Sequence, residues 1–333
     1  MNKINLTYLL FLGLFIACKP DPLPESVNKK GWTVYDTSNT DFPFPAINEI
    51  ACDNENNIWL INARVSLVKF SQHDLFSITI PAAGNDPVLA GKYLAIDKFN
   101  NKWLYTDAHG LFKFDGNWKG YSPLWPEQAY IQWRIRADQV GNIWYIDGWK
   151  LYKFDQVEFT TFDKDSSNMP LEEELKDFAI DNEGGVWIIT NPIPSLGLFK
   201  NNTWTVYTPN NSGIPDQKFF QIEVDKKGVK WLRGKHELVS FDGYNWEKHK
   251  PDSPFQKDIL SYSSLDDIHI DKNNTIWMTS YYNGVIKYAN RKWEVFNTKN
   301  SGLPDDRAVC ITSDLEGNIW IGTPIGLVKF ENK

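Results

Sequence analysis

A chain of 333 residues, 42% hydrophobic and 23% charged, has a globular composition and is long enough for two ordinary domains or one large all-β domain. Its 35 Lys and Arg against 42 Asp and Glu leave a formal charge of -7, which makes a nucleic-acid backbone or an anionic membrane surface a poor electrostatic partner.

The first eighteen residues place Lys3 before an apolar run from Ile4 to Ala17, closed by Cys18, and predict a targeting segment too short for a good transmembrane span. An apolar run ending in Ala-Cys, followed by the extended KPDPLPESVNKK, resembles a lipobox and its tether, with Phe15 where Leu is usual. Residues 1–18 are therefore expected to be a lipoprotein-type signal peptide, Cys18 the acylated first residue, and 19–30 a tether. Several acyl chains suffice for stable anchoring, so a membrane enters only through this lipid. Beyond Cys18 only Cys52 and Cys310 remain, in no CxxC or Cys/His spacing, and both read as small buried apolar residues.

The next phrase, GWTVYD at 31–36, has the pattern of a strand that belongs to no complete unit of its own. Beyond it the chain repeats itself. Trp59, Trp103, Trp144, Trp187, Trp231, Trp277 and Trp320 follow one another at 44, 41, 43, 44, 46 and 43 residues. Six residues before each stands Asp53, Asp97, Asp138, Asp181, Asp225, Asp271 or Asp314, and three after each aspartate a Gly or Asn. Gly and Asn tolerate the left-handed backbone of a tight hairpin, so D-x-x-[GN] marks a turn. Seven aspartates spread one per unit are too dispersed to share an ion.

Each unit reads as four short strands, exemplified by RAVCITSD, NIWIGT, GLVKF and WTVY. Four turn-bounded strands with an aromatic signature in about 43 residues predict an all-β, seven-bladed β-propeller of four-stranded antiparallel blades over 31–333. The last copy ends after its third strand, and WTVY near the other end supplies the missing one. The N-terminal strand is expected to complete the last blade and close the ring.

The phrases DLEGNIWIGTPIGLVKF, NSGLPDDR and NSGIPDQ resemble the two-component regulator propeller repeat, found in extracytoplasmic sensor regions of bacterial hybrid histidine kinases. The resemblance runs from Gly31 onward and implies a propeller outside the cytoplasm. Those sensors continue into a second β domain, a membrane helix and a kinase, so a free-standing, lipid-anchored form is expected here, on an outer-membrane, periplasmic or cell-surface side.

Residues that the repeat does not explain are the candidates for function. Trp125, Trp133 and Trp149 fall outside the repeated tryptophan positions, all in the third unit and all mapping to one end of the ring. Tyr130 lies beside them, and Tyr262, Tyr281 and Tyr282 occupy corresponding loops of the sixth unit. Exposed aromatic rings on loops suit stacking against sugars or anchoring a protein partner, or they pack among themselves. A second set comes from the inner strands. Four residues before each aspartate the chain carries Glu49, Tyr93, Arg134, Asp177, Gln221, Asp267 and Cys310, a varied set able to face the channel. Arg134 joins the aromatic residues as a ligand-binding candidate. Glu49, Asp177 and Asp267 resemble the converging carboxylates of the calcium site in propeller lactonases. His109, His236 and His269 could serve acid-base chemistry as in streptogramin-lyase-like propellers. Mutual ion pairing with Arg134 and Arg136 accounts for the same residues. With no GxSxG word or phosphate loop, no catalytic residue is assigned. A monomeric, non-enzymatic binding or sensing module without cofactor is expected, for a glycan or protein partner; the alternative is a metal-dependent hydrolase or lyase, with calcium as its cofactor.

Overall fold

The structure, a computed structural model, describes residues 29–41, 46–62, 66–71, 74–80, 91–106, 110–121, 134–165, 167–234, 237–251 and 265–332. These residues form seven four-stranded antiparallel sheets, each ordered from an inner to an outer strand. The seven inner strands are Ile47–Cys52, Gly91–Ile96, Ile135–Ala137, Glu174–Ile180, Phe219–Val224, Leu265–Ile270 and Cys310–Ser313. This is the expected seven-bladed propeller. The described residues contain no helix long and apolar enough to cross a membrane.

The repeated aspartate does more than turn the chain. In blade one, one Asp53 carboxylate oxygen accepts the backbone N–H groups of Glu55 and Asn57, and the other accepts the Trp59 indole N–H at 2.7 Å. The indole contact recurs in all seven blades at 2.7 to 3.2 Å, closing with Asp314 and Trp320. One side chain thus satisfies a hairpin and the only polar atom of a buried ring, which would otherwise be costly to leave unpaired. The third residue after each aspartate has positive φ throughout, from Asn274 at 60° to Gly317 at 95°. That is the conformation for which Asn and Gly are suited.

The lysine of the third strand lies across from the tryptophan and over its ring in five blades, for example Lys69 at 5.8 Å from the Trp59 centroid and Lys287 at 5.3 Å from Trp277. Blade five, where Ser240 replaces the lysine, fills the place differently. His249 sits 5.0 Å from the Trp231 ring and bonds the Ser240 hydroxyl at 2.9 Å and the Tyr288 hydroxyl at 2.7 Å. Burial pushes its pKa down, which suits a neutral ring between two hydroxyls.

Between blades, Ile50, Leu94, Ile135, Phe178, Ile222, Ile268 and Ile311 are buried, as their position three before each aspartate predicts. Cys310 is buried, but Cys52 is only half-buried beside the Asn56 turn, so it is less enclosed than its sequence suggests.

The ring closes as expected. Trp32–Tyr35 pairs with Gly326–Phe330 in the register Trp32↔Phe330 through Tyr35↔Leu327, completing the seventh sheet. Trp32 stacks on Phe330 at 4.5 Å and tilts against Phe296 of blade six at 5.6 Å. Gly302 touches the Trp32 side chain so closely that a Cβ there would collide with it. Lys29, within the stretch expected to be a tether, donates to the Ser301 carbonyl at 2.7 Å.

Candidate functional site

An inner strand is the edge of its sheet, so its channel-side N–H groups lack a ladder partner and need another acceptor. Two blades solve this with carboxylates. Asp177 of blade four accepts the Ile222 N–H of blade five at 3.0 Å, and Asp267 of blade six accepts the Ile311 N–H of blade seven at 3.1 Å. Both lie where the inner-strand register slips, between Leu175 and Asp177 and between Leu265 and Ile268. Glu49, Tyr93 and Gln221 stand at the same irregularity in their own blades. A bulge re-aims a side chain, and here it turns Asp177 and Asp267 toward the next blade.

The cations of blade three lie among these carboxylates. Arg134 contacts Asp267 at 3.0 Å and Asp177 at 3.6 Å, joining blades three, four and six. Arg136 contacts Glu223 of blade five at 2.6 Å and reaches the Ile222 carbonyl at 3.4 Å. His269 shares a hydrogen bond with the Ser313 hydroxyl at 2.8 Å. Glu49, Tyr93, Arg134, Arg136, Glu223, Asp267 and His269 all line one cavity of about 140 Å³ on the axis. Among the described residues no three His, Cys, Asp or Glu side chains gather to hold a metal ion, and Arg134 stands between Asp177 and Asp267.

Burial governs the protonation of this cluster. It pushes Glu49 up to about 8, with the Asp267 charge adding to the effect and Arg134 and Arg136 opposing it. Glu223 is likewise raised by burial, while Arg136 restrains the shift. His269 is lowered by burial against the pull of Asp267 and Asp271, which favours a neutral ring. Burial also works against the Arg134 charge, but Asp177, Asp267 and Glu49 overcome it and hold the guanidinium firmly protonated.

The aromatic candidates separate from this cluster. Trp149 lies in the turn between the second and third strands of blade three, Ile143–Asp147 and Lys150–Phe154, and is 52% exposed. It borders a cavity of about 300 Å³ with Lys150, Asp163, Lys164, Asp165, Leu171 and Glu172. Tyr281 and Tyr282 occupy the equivalent turn of blade six, packed edge to face at 5.1 Å and exposed by 40% and 63%. Equivalent turns share one end of a propeller, so these residues face the same side, three blades apart. Arg134 belongs to the channel rather than to either aromatic group. Trp125, Tyr130, Trp133 and Tyr262 lie outside the described residues, as do His109, His236 and Cys18.

No family model matches the chain, and no curated protein does. Solved structures match in fold. Virginiamycin B lyase from Staphylococcus aureus is 13% identical, with a TM-score of 0.69 over 90% of this chain and 98% of that one. The extracellular domain of a hybrid two component system from B. thetaiotaomicron is 18% identical, with a TM-score of 0.68 over 92% of this chain and 42% of that one. YCF48 from Cyanidioschyzon merolae is 10% identical, with a TM-score of 0.67 over 91% of this chain and 99% of that one. What these proteins share with the chain is the fold. The two-component neighbour accords with the repeat resemblance in the sequence, while the company of a lyase leaves the chemistry to be argued from the site.

Sequence reading missed three features. The aspartate's bond to the indole was visible only as a constant spacing of six. The stapling of one blade's backbone by the preceding blade's carboxylate needed the bulges, which leave no mark in composition. His249 attracted no notice, although Ser240 in the lysine's place was its signal.

Proposed function

We propose that this protein is a non-enzymatic binding or sensing module that works outside the cytoplasm, held by a lipid on Cys18, and that it receives a glycan or protein segment on its aromatic end. One contrast supports this reading. In the channel Asp177, Asp267, Arg134, Arg136 and Glu223 bind one another or the inner-strand backbone, whereas Trp149, Tyr281 and Tyr282 present exposed rings from two blades at one end. Charges so engaged act as fasteners, while an exposed aromatic ring brings large contact area at low entropy cost. Among the fold neighbours, extracellular domains of two component systems and a YCF48 bound to a D1 peptide are compatible with binding roles of this kind.

A thermal-shift screen against oligosaccharides, peptides and divalent cations, with chelator controls, tests the proposal. A ligand at a hundred times its Kd adds about 2.7 kcal/mol, which a melt registers. The reading requires a glycan or peptide whose shift Trp149→Ala or Tyr282→Ala abolishes without lowering the unliganded melting point. A shift from calcium alone, removed by Glu49→Gln, would reverse the assignment.

That reversed assignment is a metal-dependent hydrolase or lyase. The observation in its favour is Glu49, which keeps a proton up to about 8 in the cavity that His269 also lines, as a general acid would. Against it stands Arg134, whose guanidinium fills the place between Asp177 and Asp267 that an ion would take.

A further inference from the structure

The position immediately before the repeated tryptophan is apolar in five blades, Ile58, Ile143, Val186, Ile276 and Ile319, and lysine in two, Lys102 and Lys230. Both lysines are buried, and both reach back to the preceding blade. Lys102 places its ammonium 4.3 Å from the centroid of the Trp59 ring, 3.3 Å from the Asp53 carboxylate and 2.7 Å from the Asn100 carbonyl of its own hairpin. Lys230 repeats the arrangement between blades four and five. Its ammonium lies 4.2 Å over Trp187 and 5.1 Å over Phe241 and bonds the Gly228 carbonyl at 2.9 Å; burial lowers its pKa, and the Asp181 charge opposes that shift.

The junction of blades seven and one offers the same wall of groups without the lysine. Trp320 corresponds to Trp59, Asp314 to Asp53, and Glu316 to Glu55, whose charge also favours Lys102. Asn56 supplies the hairpin that Asn100 supplies to Lys102, and Phe70 matches Phe241. Ile58 stands where the lysine would be. All six line a cleft of about 390 Å³, to which Tyr35 of the closing strand adds a further ring. Lys329 also lines the cleft, 5.6 Å from the Trp320 ring, but Trp59 accepts Lys69 at 5.8 Å together with Lys102, so one such lysine does not preclude a second cation.

We propose that the cleft between blades seven and one is a binding site for a primary alkylammonium group, a free amine or a lysine side chain of a partner. The chain shows twice, with its own lysines, what this frame of tryptophan, carboxylate and hairpin carbonyl receives. A desolvated ammonium over an indole with a carboxylate alongside gains both a cation–π contact and an ion pair. The site lies at the hairpin end of the ring, opposite Trp149 and Tyr282, so it is independent of the aromatic-end ligand.

The test measures melting and titration calorimetry of the protein with 1,5-diaminopentane and with a short acetylated peptide carrying one lysine, at matched ionic strength and with 1-pentanol as uncharged control. Saturable binding of either probe supports the site, and the tighter probe identifies the source as free amine or polypeptide lysine. Ile58→Lys plants the internal occupant and is expected to weaken that binding at least about tenfold, the scale of a lost desolvated cation–π contact. If Ile58→Lys fails to fold, Glu316→Gln on the exposed rim is expected to weaken it about threefold. No saturable binding of either probe at millimolar concentration, equal binding of 1-pentanol, or undiminished binding by a folded Ile58→Lys would overturn the proposal.

Discussion

Glu49→Gln isolates the electrostatic cost of the channel. The folded protein holds the Glu49 proton up to about 8, whereas an exposed glutamate releases it near 4.5, because burial and the Asp267 charge disfavour the anion. Below the lower value both states are protonated and the carboxyl contributes nothing to pH dependence. Between the two, the unfolded chain gives up a proton that the folded chain keeps, so stability falls as pH rises; above about 8 it levels. At pH 7 the cost approaches about 3 kcal/mol as an upper bound. Glutamine keeps the shape without the proton. Urea unfolding of both proteins from pH 4 to 9 should therefore show matched stabilities at the acid end and a growing advantage for the variant toward neutrality. Two parallel profiles would refute the reasoning and place Glu49 in contact with water.

Two further outcomes are expected. Trp32→Ala removes a buried ring that joins blades six and seven and should cost about 3–5 kcal/mol, and deleting 31–36 should lower the unfolding midpoint more; unchanged urea midpoints would dismiss the closing strand as a stabiliser. Cys18→Ser should move the protein from the membrane fraction to the soluble one, and retention in membranes would remove the lipid from the proposal.

The architecture was legible because a propeller writes its fold in repetition. Trp59 and its six counterparts set the period, Asn56 and Gly317 announced positive φ, and WTVY at one end answered a missing strand at the other. The channel was half legible. Variation at the position four before each aspartate exposed Glu49, Arg134, Asp177 and Asp267 as exceptions. Which of them pair, and that Asp177 and Asp267 hold a neighbouring blade's backbone, depend on register shifts and through-space distances that a one-dimensional pattern does not carry. The lysines before Trp103 and Trp231 were equally visible as letters, but their meaning required the junction each one fills.

The way the ring is closed also determines how it bears tension. A force drawn along the segment preceding Lys29 reaches the propeller at Trp32, the first pair of a four-residue ladder with Gly326–Phe330. Load on that end meets the Lys29 contact to Ser301 and the Trp32 ring beside Phe330 and Phe296 before the rest of the ladder. Six blades have all four strands supplied by one continuous stretch of chain; the seventh does not. Parting the chain's two ends therefore opens that blade alone, and Trp32 is the first residue of the pairing to be exposed.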